Sequence, residues 1–134
     1  MSFLPFQYAN GVTPWEYLPA DAITPKVGML LEFNTSTGRL KVCSQGIPQY
    51  ISMAEHSSAV SAGTLIPVIK IEKDTVYETQ LDANISSTLP LGYLADIDAT
   101  GLLLDGNAST DDVFRVEYVG GLTAGSTVRG KFVK

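Results

Sequence analysis

A chain of 134 residues fits one domain and buries roughly 65–70% of its unfolded surface, enough to fold without staples. Hydrophobic residues make up 45% and charged residues 17%, with 12 Gly and 7 Pro, which excludes a disordered chain and suits a folded one with many turns. Fourteen acids against nine bases give a net charge of −5, against direct nucleic-acid binding, and the single Cys43 excludes an intrachain disulfide.

The opening "MSFLPFQYANG" has no basic n-region and carries Pro5 in its apolar part, and no run approaches 18 consecutive apolar residues. The expectation is a soluble protein with no signal peptide and no membrane partner. Residues 1–26 differ from the rest, joining Pro5, Pro14, Pro19 and Pro25 to Phe3, Phe6, Tyr8, Trp15 and Tyr17. Prolines at this spacing prevent a regular helix and remove ladder donors, so an extended N-terminal arm is expected. Residues 27–134 are expected to form the domain proper, as short β-runs between turn residues.

"VGMLLEF" places Val27, Met29, Leu31 and Phe33 on one face, and "RLKVC" returns after an "NTSTG" turn with Leu40 and Val42 inward. "PQYISMA" is the next strand; "MAEHSSAV" alone offers a turn or two of helix. "TLIPVIKIE" has Leu65, Ile69 and Ile71 on one face, and Pro67 argues for an edge or bulge in its middle. "TVYETQL", "LGYLADI", "GLLL", "DVFRVEYV" and "STVRGKFV" follow, with Phe114, Val116 and Tyr118 alternating with Arg115 and Glu117 as in a half-buried strand. The fold class is mainly all-β.

Two phrases recur. "AVSAGTLIPVIKI" (59–71) is echoed by "GLTAGSTVRGKFV" (121–133), and "VGMLLEFNTSTGRL" (27–40) by "LGYLADIDATGLL" (91–103). The spacing is 35 residues from Gly28 to Gly63 and 33 from Gly92 to Gly125. Two similar β-units in a barrel-like domain fit this pattern, whether by duplication or because hairpins in any barrel converge on such phrases. Either way the phrases are scaffold.

Chemical constellations are sparse. His56, the only histidine, lies beside Ser57 and Ser58 in sequence, which is not how a base approaches a nucleophile, so it reads as a surface or turn residue. Cys43 reads as a small packing group, and no phosphate-cradling glycine loop is present. "DIDATGLLLDGN" (96–107) mimics a calcium loop at Asp96, Asp98 and Gly101 but ends on Asn107 where a bidentate Glu is required. It reads as a hairpin turn whose aspartates bond their own backbone, with no metal or cofactor expected.

"GVTPWEYLPADAITPKVGMLL", "YISMAEHSSAVSAGTLIPVIKIEKDTVYET" and "GGLTAGSTVRGKFV", together most of the chain, resemble the small head-decoration, or capsid-stabilising, proteins of tailed bacteriophages and prophages. The resemblance implies a compact β-barrel-like homotrimer on the outer surface of the virion head, bridging major capsid proteins, after synthesis in the bacterial host cytoplasm. It carries over no catalytic residue, and the arm makes the bond to the shell. Here that arm centres on Trp15, Glu16, Tyr17, Leu18 and Pro19, and it is richer in aromatics and proline than a freely disordered tail.

The residues point the same way: an acidic β-domain with an aromatic arm is built to dock on protein, its strand segments adding to another sheet edge while Trp15 and Tyr17 fill pockets. The other reading of these two rings is that they cap the bottom of their own barrel. Surface left over around Pro67 and Ile69 suggests the oligomer interface. Two other classes are a tail, fibre or carbohydrate-binding module, favoured if aromatics cluster in exposed loops, and a small hydrolase, which needs a built environment around His56.

Overall fold

Gly28 and Gly92 hold φ at +85° and +87°, and Gly63 and Gly125 at +90° and +88°, in the left-handed region that a β-carbon makes costly. Each pair closes equivalent turns. The Gly28 and Gly92 amides donate to the carbonyls of Ser52 and Val116, while those of Gly63 and Gly125 donate to Ala20 and Leu81. In a computed structural model, which describes residues 2–44 and 46–133, these turns join eleven strands with no helix among the described residues.

One sheet contains β2 (Trp15–Pro19), β6 (Leu65–Lys70), β5 (Tyr50–Ser52), β3 (Leu30–Phe33) and β4 (Leu40–Val42), in that order. The other contains β7 (Val76–Gln80), β11 (Thr127–Phe132), β10 (Phe114–Val119), β8 (Leu94–Ile97) and β9 (Leu104–Asp105) in the same relative order, with β1 (Leu4–Gln7) added outside β7. All the strand pairs are antiparallel. Phrases that recur in the sequence therefore occupy matching places in two units of one topology. Each unit curls until its first and last strands meet in a single parallel bridge, Ala20 to Leu40 and Leu81 to Leu104. The mainly all-β class and the two similar units are as expected, but neither unit closes into a barrel. With β4 three residues long and β9 two, the gap is too short on one side to carry a ladder.

Two cores result. Leu31, Leu40, Ile66 and Val68 pack with Ala20, Ala54 and Val60 inside the first unit. Leu30, Ile51 and Ile69, on the opposite face of the same sheet, pack into the second unit's core with Tyr77, Phe114, Val116, Val128 and Phe132. A sheet buried on both sides explains why "MLLEF" shows a near-continuous apolar run rather than clean alternation. In β10 alternation holds for Phe114 and Val116 and then fails. A register shift between Val116 and Tyr118 turns the Tyr118 ring out to the Arg129 guanidinium, 4.7 Å from its centroid.

The segment before residue 27 is extended, but it is not a separate arm. It supplies an edge strand to each sheet, and Phe3 is fully buried, its ring 5.7 Å from that of Phe114 and 5.6 Å from that of Phe132. A large ring gains more by burial against Phe114 and Phe132 than by exposure, so at Phe3 the 26/27 boundary marks a change of composition, not of packing. "MAEHSSAV" forms no helix. Ser52 Oγ caps the Ala54 amide, the Val60 amide donates to Ile23, and the stretch is held as a loop across the first core.

Candidate docking surface

"WEYLP" becomes a strand because its aromatics favour a pleated surface and Pro19, which would break a helix begun at Pro14, costs nothing on the edge side of a strand. It lies antiparallel to β6 with Trp15 opposite Ile69, Glu16 opposite Val68, Tyr17 opposite Pro67, Leu18 opposite Ile66 and Pro19 opposite Leu65. Glu16 and Leu18 thus share the face of the first core, and Trp15, Tyr17 and Pro19 share the other. Trp15 and Tyr17 remain 58% and 62% exposed, so they do not cap a barrel, and Leu65 beside Pro19 is 61% exposed. Leu65 shares its face with Ile69 and Ile71, as the sequence suggests, but only Ile69 is buried there; Ile66 and Val68 fill the first core from the opposite face.

Pro67 fixes which main-chain groups are available. Its carbonyl accepts from the Met53 amide on the β5 side, so by strand alternation Ile66 and Val68 turn their polar groups toward β2. The bond from the Ala20 amide to the Thr64 carbonyl continues the same ladder. It follows that Leu18 and Glu16 bond to β6, while Trp15 and Tyr17 turn their N–H and C=O away from it. No described residue pairs with that side of β2, which is the outermost strand of its sheet.

The matching edge of the second unit is occupied. Leu81 donates to Ser126 as Ala20 does to Thr64, so Glu78 and Val76 face outward there, and β1 pairs with them: Leu4 opposite Glu78, Pro5 opposite Tyr77, Gln7 opposite Val76. The Phe6 ring lies 3.9 Å from the Arg129 guanidinium carbon, and Arg129 Nε donates to Glu78 Oε2 at 2.8 Å. On β1, Pro5 removes a donor from the side away from β7. β4 and β9 are only three and two residues long. Short edges and edge prolines are how sheets avoid unwanted pairing. Only β2, among the described edges, combines length, unpaired donors and exposed rings.

Glu16 is exposed at this edge and enters no ion pair among the described residues. Burial first and the Glu16 carboxylate second push the hydroxyl of Tyr50, a residue of the neighbouring cleft, above its ordinary range. That cleft, about 480 Å³, is lined by Phe33, Ile47, Tyr50, Lys70, Ile71 and Lys73, with Phe33 and Tyr50 edge to face at 5.7 Å. Of the two residues expected at an oligomer interface, Pro67 is half-buried opposite Tyr17, whereas Ile69 is buried in the chain's own core and offers no surface.

His56 is exposed, its main chain bonded to Pro25 and to the Lys26 ammonium. Cys43 is fully buried, and burial pushes its thiol far above the ordinary range, as befits a packing group. In the acidic loop, Asp98 Oδ1 accepts from Thr100 and from the Leu102 and Leu103 amides, and Asp96 accepts from the amides of Thr110, Asp111 and Asp112. These oxygens serve the turn.

The repeat also identifies an acid that sequence reading missed. Asp21 Oδ2 accepts from Asn34 at 2.8 Å and Oδ1 from Thr37 at 3.0 Å. At the matching place in the second unit, Asp98 stands where Asn34 stands, and Asp82 Oδ1 is buried without a partner. Burial, then the charges of Asp105 and Asp98, raise the Asp82 carboxyl above its ordinary range. Aligning "NTSTG" with "DATG" would have shown the exchange of amide for acid.

Searches with this chain against family models, curated proteins and solved structures give no match.

Proposed function

We propose that this chain is a non-enzymatic structural protein of a phage virion, which stabilises the head by docking on the outer surface of the major capsid protein as a homotrimer. The observation that carries the reading is the open edge of β2, where Trp15 and Tyr17 present both unpaired main-chain groups and exposed rings beside Leu65. Unpaired donors need a strand and exposed rings need pockets; a protein shell supplies both. The resemblance of the sequence to head-decoration proteins supports the choice of shell, and the net charge of −5 suits a partner other than nucleic acid. The test is co-sedimentation with expanded phage heads: the wild-type chain pellets with heads and Tyr17→Lys does not. Equal pelleting of the two refutes the assignment of the surface.

A second reading, a tail, fibre or other carbohydrate-binding module, is favoured by one feature, the cleft between Phe33, Tyr50 and Lys70. Its rings meet edge to face rather than forming a flat platform, so it ranks behind the β2 edge.

A further inference from the structure

The molecule holds a template for the occupant of the open edge. The two units share strand order, register and turn bonds, yet one outer edge is covered and its counterpart is not. Superposing the pairings sets Trp15 with Val76, Glu16 with Tyr77 and Tyr17 with Glu78. A strand on β2 placed as β1 is on β7 runs antiparallel, with one residue opposite Tyr17, the next opposite Glu16 and a later one opposite Trp15.

Resting on the docking surface proposed above, we infer that the edge accepts one antiparallel strand of a partner protein with the pattern apolar, basic, apolar. The apolar positions are set by the faces. Residues opposite Tyr17 and Trp15 lie on the side of those exposed rings and of Leu65, as Leu4 lies opposite Glu78 in the second unit. The basic position is set by charge. Its side chain lies beside Glu16, whose carboxylate is exposed and has no cation among the described residues, and a cross-strand pair of opposite charge is stabilising where a like pair is not. In the second unit this place holds Pro5 opposite the uncharged, buried Tyr77, so no cation is needed there. A second copy of β2 is not the occupant, because it brings another Glu16 to an edge of a chain that already carries −5.

The probe is a capped octapeptide copying residues 2–9 with Gln7→Val, which makes the place opposite Trp15 apolar, and Pro5→Lys, compared with the same peptide carrying Pro5→Glu instead, titrated into the full isotope-labelled chain. The expected result is shifts of the Trp15 and Tyr17 amides, with the lysine peptide bound about 3–10-fold more tightly. Glu16→Lys reverses that preference. A nitroxide at the peptide's N-terminus broadens Leu18 and Ala20, not Thr13, as an antiparallel strand requires. Equal affinity of both peptides, a parallel orientation, shifts confined to β7, or no shift at β2 at millimolar peptide overturns the inference. If the peptides fail while Tyr17→Lys still loses head binding, the strand chemistry is wrong and the docking surface stands. If Tyr17→Lys binds heads normally, the surface itself falls.

Discussion

Tyr17→Lys separates docking from folding because the two depend on different parts of the residue. Tyr17 is 62% exposed, so about two-fifths of its surface is covered by its own chain. A ring that buries 150–250 Å² in a core thus covers roughly 60–100 Å² here, worth about 1.5–2.5 kcal/mol as an upper bound. A lysine stem lies along the same apolar strip with its ammonium in water, recovering roughly half, so the net loss is about 1 kcal/mol. For a chain of this size that lowers Tm by roughly 3–6 °C. Main-chain pairing with β6 is kept, since Tyr17 turns its polar groups the other way. Docking loses an aromatic anchor, about 2–4 kcal/mol, or roughly 30–1,000-fold in Kd. Thermal melts and head co-sedimentation on one preparation give both numbers. A Tm drop of about 20 °C with normal binding by the folded fraction refutes the reasoning, for Tyr17 then belongs to the core.

Phe3→Ala behaves in the opposite way: removing a fully buried ring from the Phe114 and Phe132 cluster costs about 3–5 kcal/mol, read as a fall in the urea midpoint. Asp82→Asn stabilises at pH 7 by less than about 1 kcal/mol, because a half-buried carboxylate whose Oδ1 has no hydrogen-bond partner loses its charge. The folded chain holds the Asp82 proton more tightly than the unfolded one, so the ionised form costs stability at neutral pH. That cost is relieved as pH falls through the raised folded value and is gone below the ordinary 3.8. The Asp82→Asn gain, followed by melts across pH, must shrink over the same window; a gain independent of pH contradicts this. Adding a chelator leaves Tm unchanged, since the oxygens of Asp96 and Asp98 already accept backbone amides; a drop of many degrees marks a cation site.

Much of the fold was legible because turn residues and β-branched runs act locally. The glycines that mark the repeat sit at equivalent turns, and the runs from "MLLEF" to "RGKFV" are strands. Pairing between distant segments was not legible. Composition made residues 1–26 look detachable, yet Phe3 inserts between units joined much later in the chain. Tyr118 was placed with Phe114 and Val116 by simple alternation, and a register shift turns it outward; Leu65 shares the face of the buried Ile69, yet at the start of its strand it is exposed. Trp15 and Tyr17 stood out by residue type, but their direction depends on Pro67, whose carbonyl bonds to Met53 and so decides which way β2 faces its neighbours. A missing N–H at Pro67 hinted at that asymmetry without naming the side.

The most direct test of β2 as the docking edge is a cryo-EM reconstruction of expanded heads incubated with the chain. The account predicts three-fold symmetric density on the outer surface, with a strand of the major capsid protein continuing the sheet beyond Trp15 and Tyr17. Density that reaches the shell through any other edge, leaving β2 in solvent, or that lies on two-fold positions, would contradict it.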